Sequence, residues 1–263
     1  MSTTQLKIIA VIAMLIDHVG LFIPNTPEWF RWIGRIAIPI FIFAIVVGYT
    51  HTSNRKKYLL RVYVASFGMS FIVLWLNLAL NDMHYSLTTN FFAPLFLIVF
   101  IISIVKKKQL KYIILFLMWQ IITFFLIILL AGILDFPYVY DPYAAYYFWG
   151  SILGNILFVE GGPLFILLGV SLYFARKRKI NILILYAFFS YCCFYASQRW
   201  GSVPIPEARF SFPFADYQWM MIAALPLILI YNNKKGLGLK YFFYIFYPTH
   251  IVILFLLGIY LQQ

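Results

Sequence analysis

The chain has 263 residues, of which 64% are hydrophobic and 11% are charged, and its formal net charge is +12. A soluble domain of this size cannot bury so much apolar surface, so the composition predicts an integral membrane protein. The basic residues lie in short loops between apolar segments, where they report membrane topology. We therefore exclude a nucleic-acid-binding protein.

Nine apolar segments follow one another along the chain, most of them long enough to cross a bilayer. Their predicted bounds are 5–23, 28–50, 58–80, 88–105, 110–133, 147–174, 181–198, 215–231 and 239–261. The fourth and the eighth are the shortest. The sequence therefore predicts an all-α, polytopic integral membrane protein with about nine transmembrane helices.

Every second loop between these segments is basic. The basic loops are 55–57, 106–111, 176–179 and 232–240, and the intervening loops hold most of the acidic residues. The positive-inside rule then places the N-terminus in the cytoplasm and the C-terminus outside. The longest outer loop, 199–216, is large enough to cover a site.

The first apolar segment carries Lys7 near its start and Asp17 and His18 near its end. Eleven positions at about 100° each make three turns plus about 20°, so Lys7 and His18 share one stripe, about 16 Å apart. Arg35 lies at a similar depth on the second segment. Ionisable groups inside a membrane are usually functional, so these residues are candidates for a site. The alternative is a structural ion pair that fixes the first helical hairpin.

Glu160 lies in the middle of the sixth segment and is followed by Gly161, Gly162 and Pro163. Glycine weakens a helix and proline removes a backbone donor, so the sequence predicts a kink or break there. A carboxylate at such a break faces a cavity rather than lipid, which makes Glu160 a candidate site residue. A structural hydrogen-bond partner is the alternative.

The last segment carries tyrosines three residues apart, including Tyr244 and Tyr247, which therefore lie on one side of the helix. Pro248 is expected to kink this helix, and His250 falls near mid-depth. Helix packing alone would also explain a tyrosine stripe. With a proline and a buried histidine beside it, the stripe instead favours a supporting role for Tyr244, Tyr247 and His250.

Three cations lie near the predicted cytoplasmic ends of the first and third segments: Lys7, Lys57 and Arg61. Together they would form a cluster able to receive the phosphates of a nucleotide cofactor. The alternative is that each side chain reaches out to lipid headgroups from an ordinary basic loop. No cysteine or histidine spacing indicates a metal site, and we expect no metal.

The chain resembles the TraX family of integral membrane proteins in three stretches: LKIIAVIAMLIDHVG, RWIGRIAIPIFIFAIVVGYTHTSNRKKYLLR and YFFYIFYPTHIVIL. The middle of the chain, about 85–200, resembles that family mainly in hydropathy. The family is named for the conjugal-transfer protein that acetylates the N-terminus of F-type pilin. TraX proteins are in turn similar to a wider superfamily of transmembrane acyltransferases.

Members of that superfamily carry an arginine or another polar residue, then ten residues, then a histidine in the first membrane helix. Lys7 and His18 match this spacing. Those enzymes also carry an RxxR motif at the start of the third helix. The nearest match here, from Lys57 to Arg61, differs in spacing and in residue type.

The resemblance implies one transmembrane acyltransferase-like domain over residues 1–263, in a bacterial cell membrane. Its reaction would move an acetyl group from cytosolic acetyl-CoA to a peptide, lipid or glycan acceptor on the outer side, at an amine or a hydroxyl. Lys7, Lys57 and Arg61 would bind the cofactor, and His18 would act as general base, oriented by Asp17 or Arg35. A covalent acetyl-histidine is the alternative route.

Two other functions use the same residues differently. A proton- or ion-coupled transporter would use the buried ionisable groups as a relay, although the chain lacks the internal repeats that many transporters show. A non-catalytic membrane scaffold has no need for several ionisable groups inside the bilayer.

Overall fold

The computed structural model of the chain describes residues 1–80, 86–133, 143–200 and 217–261. Throughout these residues the fold is all-helical, as predicted. The helices are α1 Thr3–Phe22, α2 Trp29–Gly34, α3 Ala37–His51, α4 Arg55–Ala79, α5 Phe92–Lys106, α6 Leu110–Ile133, α7 Ala144–Leu153, α8 Gly162–Ala175, α9 Lys179–Trp200, a 3-10 helix Gln218–Ala224, α10 Leu225–Leu229 and α11 Lys240–Tyr260. Most of the 199–216 loop lies outside the described residues.

Each of the nine predicted segments contains an apolar helix. Within the described residues, six segments are long and apolar enough to cross a membrane: Thr3–Phe22, Trp29–His51, Arg55–Ala79, Leu110–Ile133, Lys179–Arg199 and Tyr241–Tyr260. Three apolar helices are shorter: Phe92–Lys106, Gly162–Ala175 and Gln218–Leu229. The fourth and eighth segments are thus short, as predicted. The number of crossings and their orientation stay predictions.

The described residues form two compact units. The first contains Met1–Gly48 together with residues 171–200 and 217–261, and the second contains Tyr49–Val170. That one domain covers residues 1–263 stays a prediction.

In the first unit, α1 and α2 form a tightly packed hairpin that depends on two glycines. A Cβ atom at Gly20 would lie 2.7 Å from the Cβ of Phe30, and one at Gly34 would lie 2.1 Å from Oδ1 of Asp17. Both distances are shorter than van der Waals contact, so only glycine allows the two helices to approach this closely. The approach brings the Asp17 carboxylate to the end of α2.

The N-terminus of α1 contacts the loop that precedes α11. The backbone N–H groups of Thr3 and Thr4 donate to the carbonyl oxygens of Lys234 and Lys235, at 2.9 and 3.1 Å. These bonds satisfy donors that a helix N-terminus otherwise leaves without partners. The chain start and the fourth basic loop therefore lie at the same end of this unit, as expected if both face one side of a membrane.

In the second unit, the sixth apolar segment is broken between α7 and α8, as predicted. The helix α7 ends with a left-handed residue, Gly154, and Gly161 also has a positive φ of 71°. Side chains of α6 satisfy the broken backbone: Gln120 donates to the Gly154 carbonyl at 3.0 Å and accepts from the N–H of Ile156 at 2.8 Å. Irregular backbone within a membrane requires such internal partners.

Candidate active site

The histidines of the first and last helices lie against each other. Nδ1 of His18, on α1, is 2.7 Å from Nε2 of His250, on α11. The two ring centroids are 4.9 Å apart, and both side chains are buried. The fold therefore brings together two site candidates that are 232 positions apart in the sequence. A pair of contacting imidazoles can take up and hold a proton.

Aromatic rings surround this pair. The Phe22 ring centroid lies 5.9 Å from that of His18, and the Phe246 ring stacks on His250 at 4.6 Å. The buried Tyr247 ring lies 5.8 Å from His250, so one member of the tyrosine stripe reaches the pair. Tyr244 is half-buried one turn earlier on α11. These aromatic side chains limit the access of water to the two imidazole rings.

Nδ1 of His250 contacts its own helix. It lies 2.7 Å from the carbonyl oxygen of Phe246, one turn earlier. Pro248 lies between these two residues, and α11 continues past it to Tyr260. The ring of His250 is therefore held on both sides, by its own backbone and by His18.

Asp17 points to two arginines rather than to its neighbour His18. Its Oδ1 accepts from Nη2 of Arg35 at 2.7 Å and lies 3.0 Å from Nη1 of Arg31. The described residues show no hydrogen bond between Asp17 and His18. Asp17 and Arg35 thus lie close together, as expected. The side chain that contacts the imidazole of His18 is His250 rather than Asp17.

Arg35 is 1% exposed and makes several further contacts. Its Nε donates to the carbonyl of Arg31 at 3.1 Å, and its Nη1 lies 3.5 Å from Oε1 of Gln218. The Tyr217 ring lies 5.6 Å from the guanidinium carbon. Buried arginine of this kind requires a carboxylate and hydrogen-bond acceptors on its donors, because burying an unpaired charge is costly.

Arg31 and Gln218 were not among the candidates that the sequence singled out. A signal existed for each residue. Arg31 lies one helical turn before Arg35, and Gln218 is a polar amide near the start of the eighth apolar segment, 215–231. Among the described residues, the resulting network joins the Asp17 carboxylate to the guanidinium groups of Arg31 and Arg35.

Lys7 lies on the same unbroken helix as His18, so the predicted stripe of about 16 Å is preserved. Its Nζ lies 5.1 Å from the centroid of the Phe243 ring. Lys235, in the loop bonded to the start of α1, acts on it electrostatically. This neighbour was not among the sequence candidates.

Lys57 and Arg61 lie one turn apart at the start of α4, in the second unit. Lys57 is exposed, its backbone N–H donates to the Asn54 cap at 2.9 Å, and Arg61 is half-buried. Glu160 also belongs to the second unit, where it is half-buried in the break between α7 and α8. Binding roles for these three residues stay predictions.

Comparison with known proteins gives one family. The family model described as "TraX protein" matches residues 2–258. The chain is also 26% identical over 279 residues to a protein of Dichelobacter nodosus named "Probable fimbrial assembly protein FimC, serogroup H1". That alignment covers 99% of this chain and 97% of the relative. No solved structure matches the chain.

Proposed function

This chain belongs to the TraX family, and we propose that it is an acetyltransferase of a bacterial cell membrane that uses acetyl-CoA as acyl donor. The observation that carries the proposal is the buried contact between His18 and His250 inside apolar helices. Ionisable groups at membrane depth are costly and rarely kept without a function. The six apolar helices of sufficient length and the bacterial relative support the location.

In the proposed reaction, the acceptor amine or hydroxyl attacks the carbonyl carbon of the acetyl thioester. His18 takes the proton of the attacking group, which is the role of a general base. The C–S bond then breaks, the CoA sulfur leaves, and the proton on His18 passes to that sulfur. The products are the acetylated acceptor and free CoA thiol, and the imidazole is neutral again.

The ion network beside His18 has a second role in this proposal. Negative charge develops on the thioester oxygen during attack, and preorganised positive groups stabilise such charge. Arg31 and Arg35 both contact Asp17, the residue next to His18, and so place two such positive groups near the base. Asp17 then serves to hold the two guanidinium groups in place rather than to orient His18.

The acyl donor is expected to bind at the end of α1 opposite His18. Lys7 and the lysines of the adjoining loop, Lys234 and Lys235, are the nearest candidates for its phosphates in the first unit. Lys57 and Arg61 remain candidates in the second unit. Acetyl-CoA itself supplies the activated acetyl group.

The acceptor that we propose is an amine presented on the outer side, first of all the N-terminal amine of a pilin-like peptide. The relative named as a fimbrial assembly protein supports this choice, as does the protein for which the TraX family is named. A hydroxyl acceptor on a lipid or glycan uses the same base chemistry.

The test is acetyl transfer by the detergent-purified protein, followed by release of CoA thiol and by label from radioactive acetyl-CoA. The acceptors are a peptide with a free N-terminal amine and, in parallel, a hydroxyl-bearing glycan. We expect His18→Gln, which keeps hydrogen bonding without useful basicity, to lower the rate about 100- to 10,000-fold. The matched control is His51→Gln, at an exposed histidine at the end of α3.

If His18→Gln folds and keeps about half of the wild-type rate, the assignment of His18 as general base is wrong, and another residue must take the proton. A proton- or ion-coupled transporter gives a different pattern. Liposomes holding the wild-type protein would then show solute or ion flux without any dependence on acyl-CoA, and His18→Gln would abolish that flux.

A further inference from the structure

We infer that His250 is a positioning residue for His18: it accepts a hydrogen bond from Nδ1 of His18 and so leaves Nε2 of His18 as the basic atom. The catalytic consequence of this assignment rests on the proposed function. The hydrogen-bond assignment itself rests on two contacts of 2.7 Å.

The first contact fixes the proton on His250. Its Nδ1 lies 2.7 Å from the carbonyl oxygen of Phe246. A carbonyl oxygen has lone pairs and no hydrogen, so it can only accept. Nδ1 of His250 must therefore carry the hydrogen and donate it to Phe246.

The second contact then fixes the proton on His18. A neutral imidazole has one N–H group, so Nε2 of His250 is left as an acceptor. Nδ1 of His18, 2.7 Å away, must be the donor in this contact. Nε2 of His18 consequently holds a lone pair. No described residue hydrogen-bonds this nitrogen.

A doubly protonated His250 would reverse this arrangement, and the surroundings oppose it. Within the described part of the chain, the charged groups beside the pair are Asp17 on α1 and Arg31 and Arg35 at α2. On α11 the neighbours of the pair are the rings of Phe246 and Tyr247. Two cations already lie near the pair, and a further buried charge among aromatic rings is costly.

The hydrogen bond also strengthens as the reaction proceeds. When Nε2 of His18 takes the acceptor's proton, the ring becomes an imidazolium and its Nδ1–H bond to His250 becomes charge-assisted. Interactions that are stronger in the transition state than in the ground state accelerate a reaction. In serine hydrolases a carboxylate fills this position. Here the carboxylate of Asp17 is bonded to arginines, and an imidazole from the last helix takes its place.

The direct test is nitrogen NMR of the full-length protein in detergent micelles, with ¹⁵N-labelled histidine. The chain has four histidines, so replacing each one singly assigns the signals. We expect both His18 and His250 to be protonated at Nδ1 and unprotonated at Nε2. A wild-type His18 that carries its hydrogen on Nε2 overturns the inference, whether or not the protein has transferase activity.

Kinetics test the consequence. His250→Leu removes the acceptor and is expected to lower kcat about 100-fold or more, with an unchanged KM for acetyl-CoA. His250→Gln instead places an amide oxygen near the position of the former Nε2. This variant is therefore expected to keep most of the wild-type kcat and the Nδ1–H form of His18. Equal losses in the two variants contradict the positioning role. If the NMR assignment holds but the wild type transfers no acetyl group, the proposed function fails while the hydrogen-bond assignment stands.

Discussion

A single carboxylate oxygen holds the ion network of the first hairpin together. Oδ1 of Asp17 contacts both Arg31 and Arg35, and Arg35 is almost completely buried. Removing one partner of a buried ion pair leaves the other charge uncompensated, which costs more than the pair gains. The stability of the hairpin should therefore be sensitive to this one side chain.

We expect Asp17→Asn to lower the free energy of unfolding by about 3–5 kcal/mol, because it removes the carboxylate that both Arg31 and the buried Arg35 contact. Thermal unfolding of the purified protein in detergent measures the effect. Glu28→Gln is the matched control, since Glu28 is an exposed acid on the same hairpin and caps no backbone donor. Equal unfolding temperatures for the two variants would show that the network contributes nothing to stability.

At the scale of helices, the site depends on how closely α1 and α2 approach. The space for the Asp17 carboxylate exists because Gly34 has no side chain. On α4, by contrast, a Cβ at Gly68 would meet nothing within 4 Å. A methyl group would therefore clash with Asp17 at Gly34 but would meet no other atom at Gly68. Replacing each glycine by alanine should thus affect stability differently.

Gly34→Ala should push Asp17 from its place and destabilise the protein by about 1–3 kcal/mol, the usual cost of overpacking. Gly68→Ala should leave stability unchanged or raise it by up to about 1 kcal/mol, because alanine is the better helix former. Thermal unfolding of both variants in the same detergent makes the comparison. A Gly34→Ala protein as stable as Gly68→Ala would mean that the hairpin is packed less tightly than its contacts indicate.

For the whole molecule, the alternation of basic loops predicts which ends of the helices face the cytoplasm. The structure adds that the chain start and Lys234 lie at one end of the first unit, because Thr3 donates to the Lys234 carbonyl. These two segments must consequently face the same side of a membrane, whichever side that is.

Cysteine labelling tests the sidedness in a background without Cys192 and Cys193. We expect a membrane-impermeant maleimide to label Asn25→Cys in intact cells, because its loop belongs to the acidic set. Lys177→Cys and Lys234→Cys should react only after permeabilisation. All three positions are exposed, so access of the reagent depends on the membrane alone. Labelling of Asn25→Cys and Lys234→Cys from the same side would contradict the predicted topology.

The sequence by itself determined those features that depend on near neighbours along the chain. Apolar runs predicted the helices, the glycines and proline after Glu160 predicted the break between α7 and α8, and ionisable residues in apolar runs identified Asp17 and His18 as candidates. Helix formation and helix breaking are governed by residues within about four positions of each other, so these features can be read locally.

Only the tertiary structure decided which side chains meet. The sequence placed Arg35 near Asp17, but it did not show that Arg31 joins this pair or that the partner of His18 comes from the last helix. The sequence also did not predict that the fourth basic loop, 232–240, contacts the start of the helix that carries Lys7. Such contacts depend on how α11 and the hairpin pack against α1, and helical periodicity does not specify this packing between residues 232 positions apart. A sequence therefore reveals which groups are too costly to bury without a function, whereas the packing of helices assigns their partners.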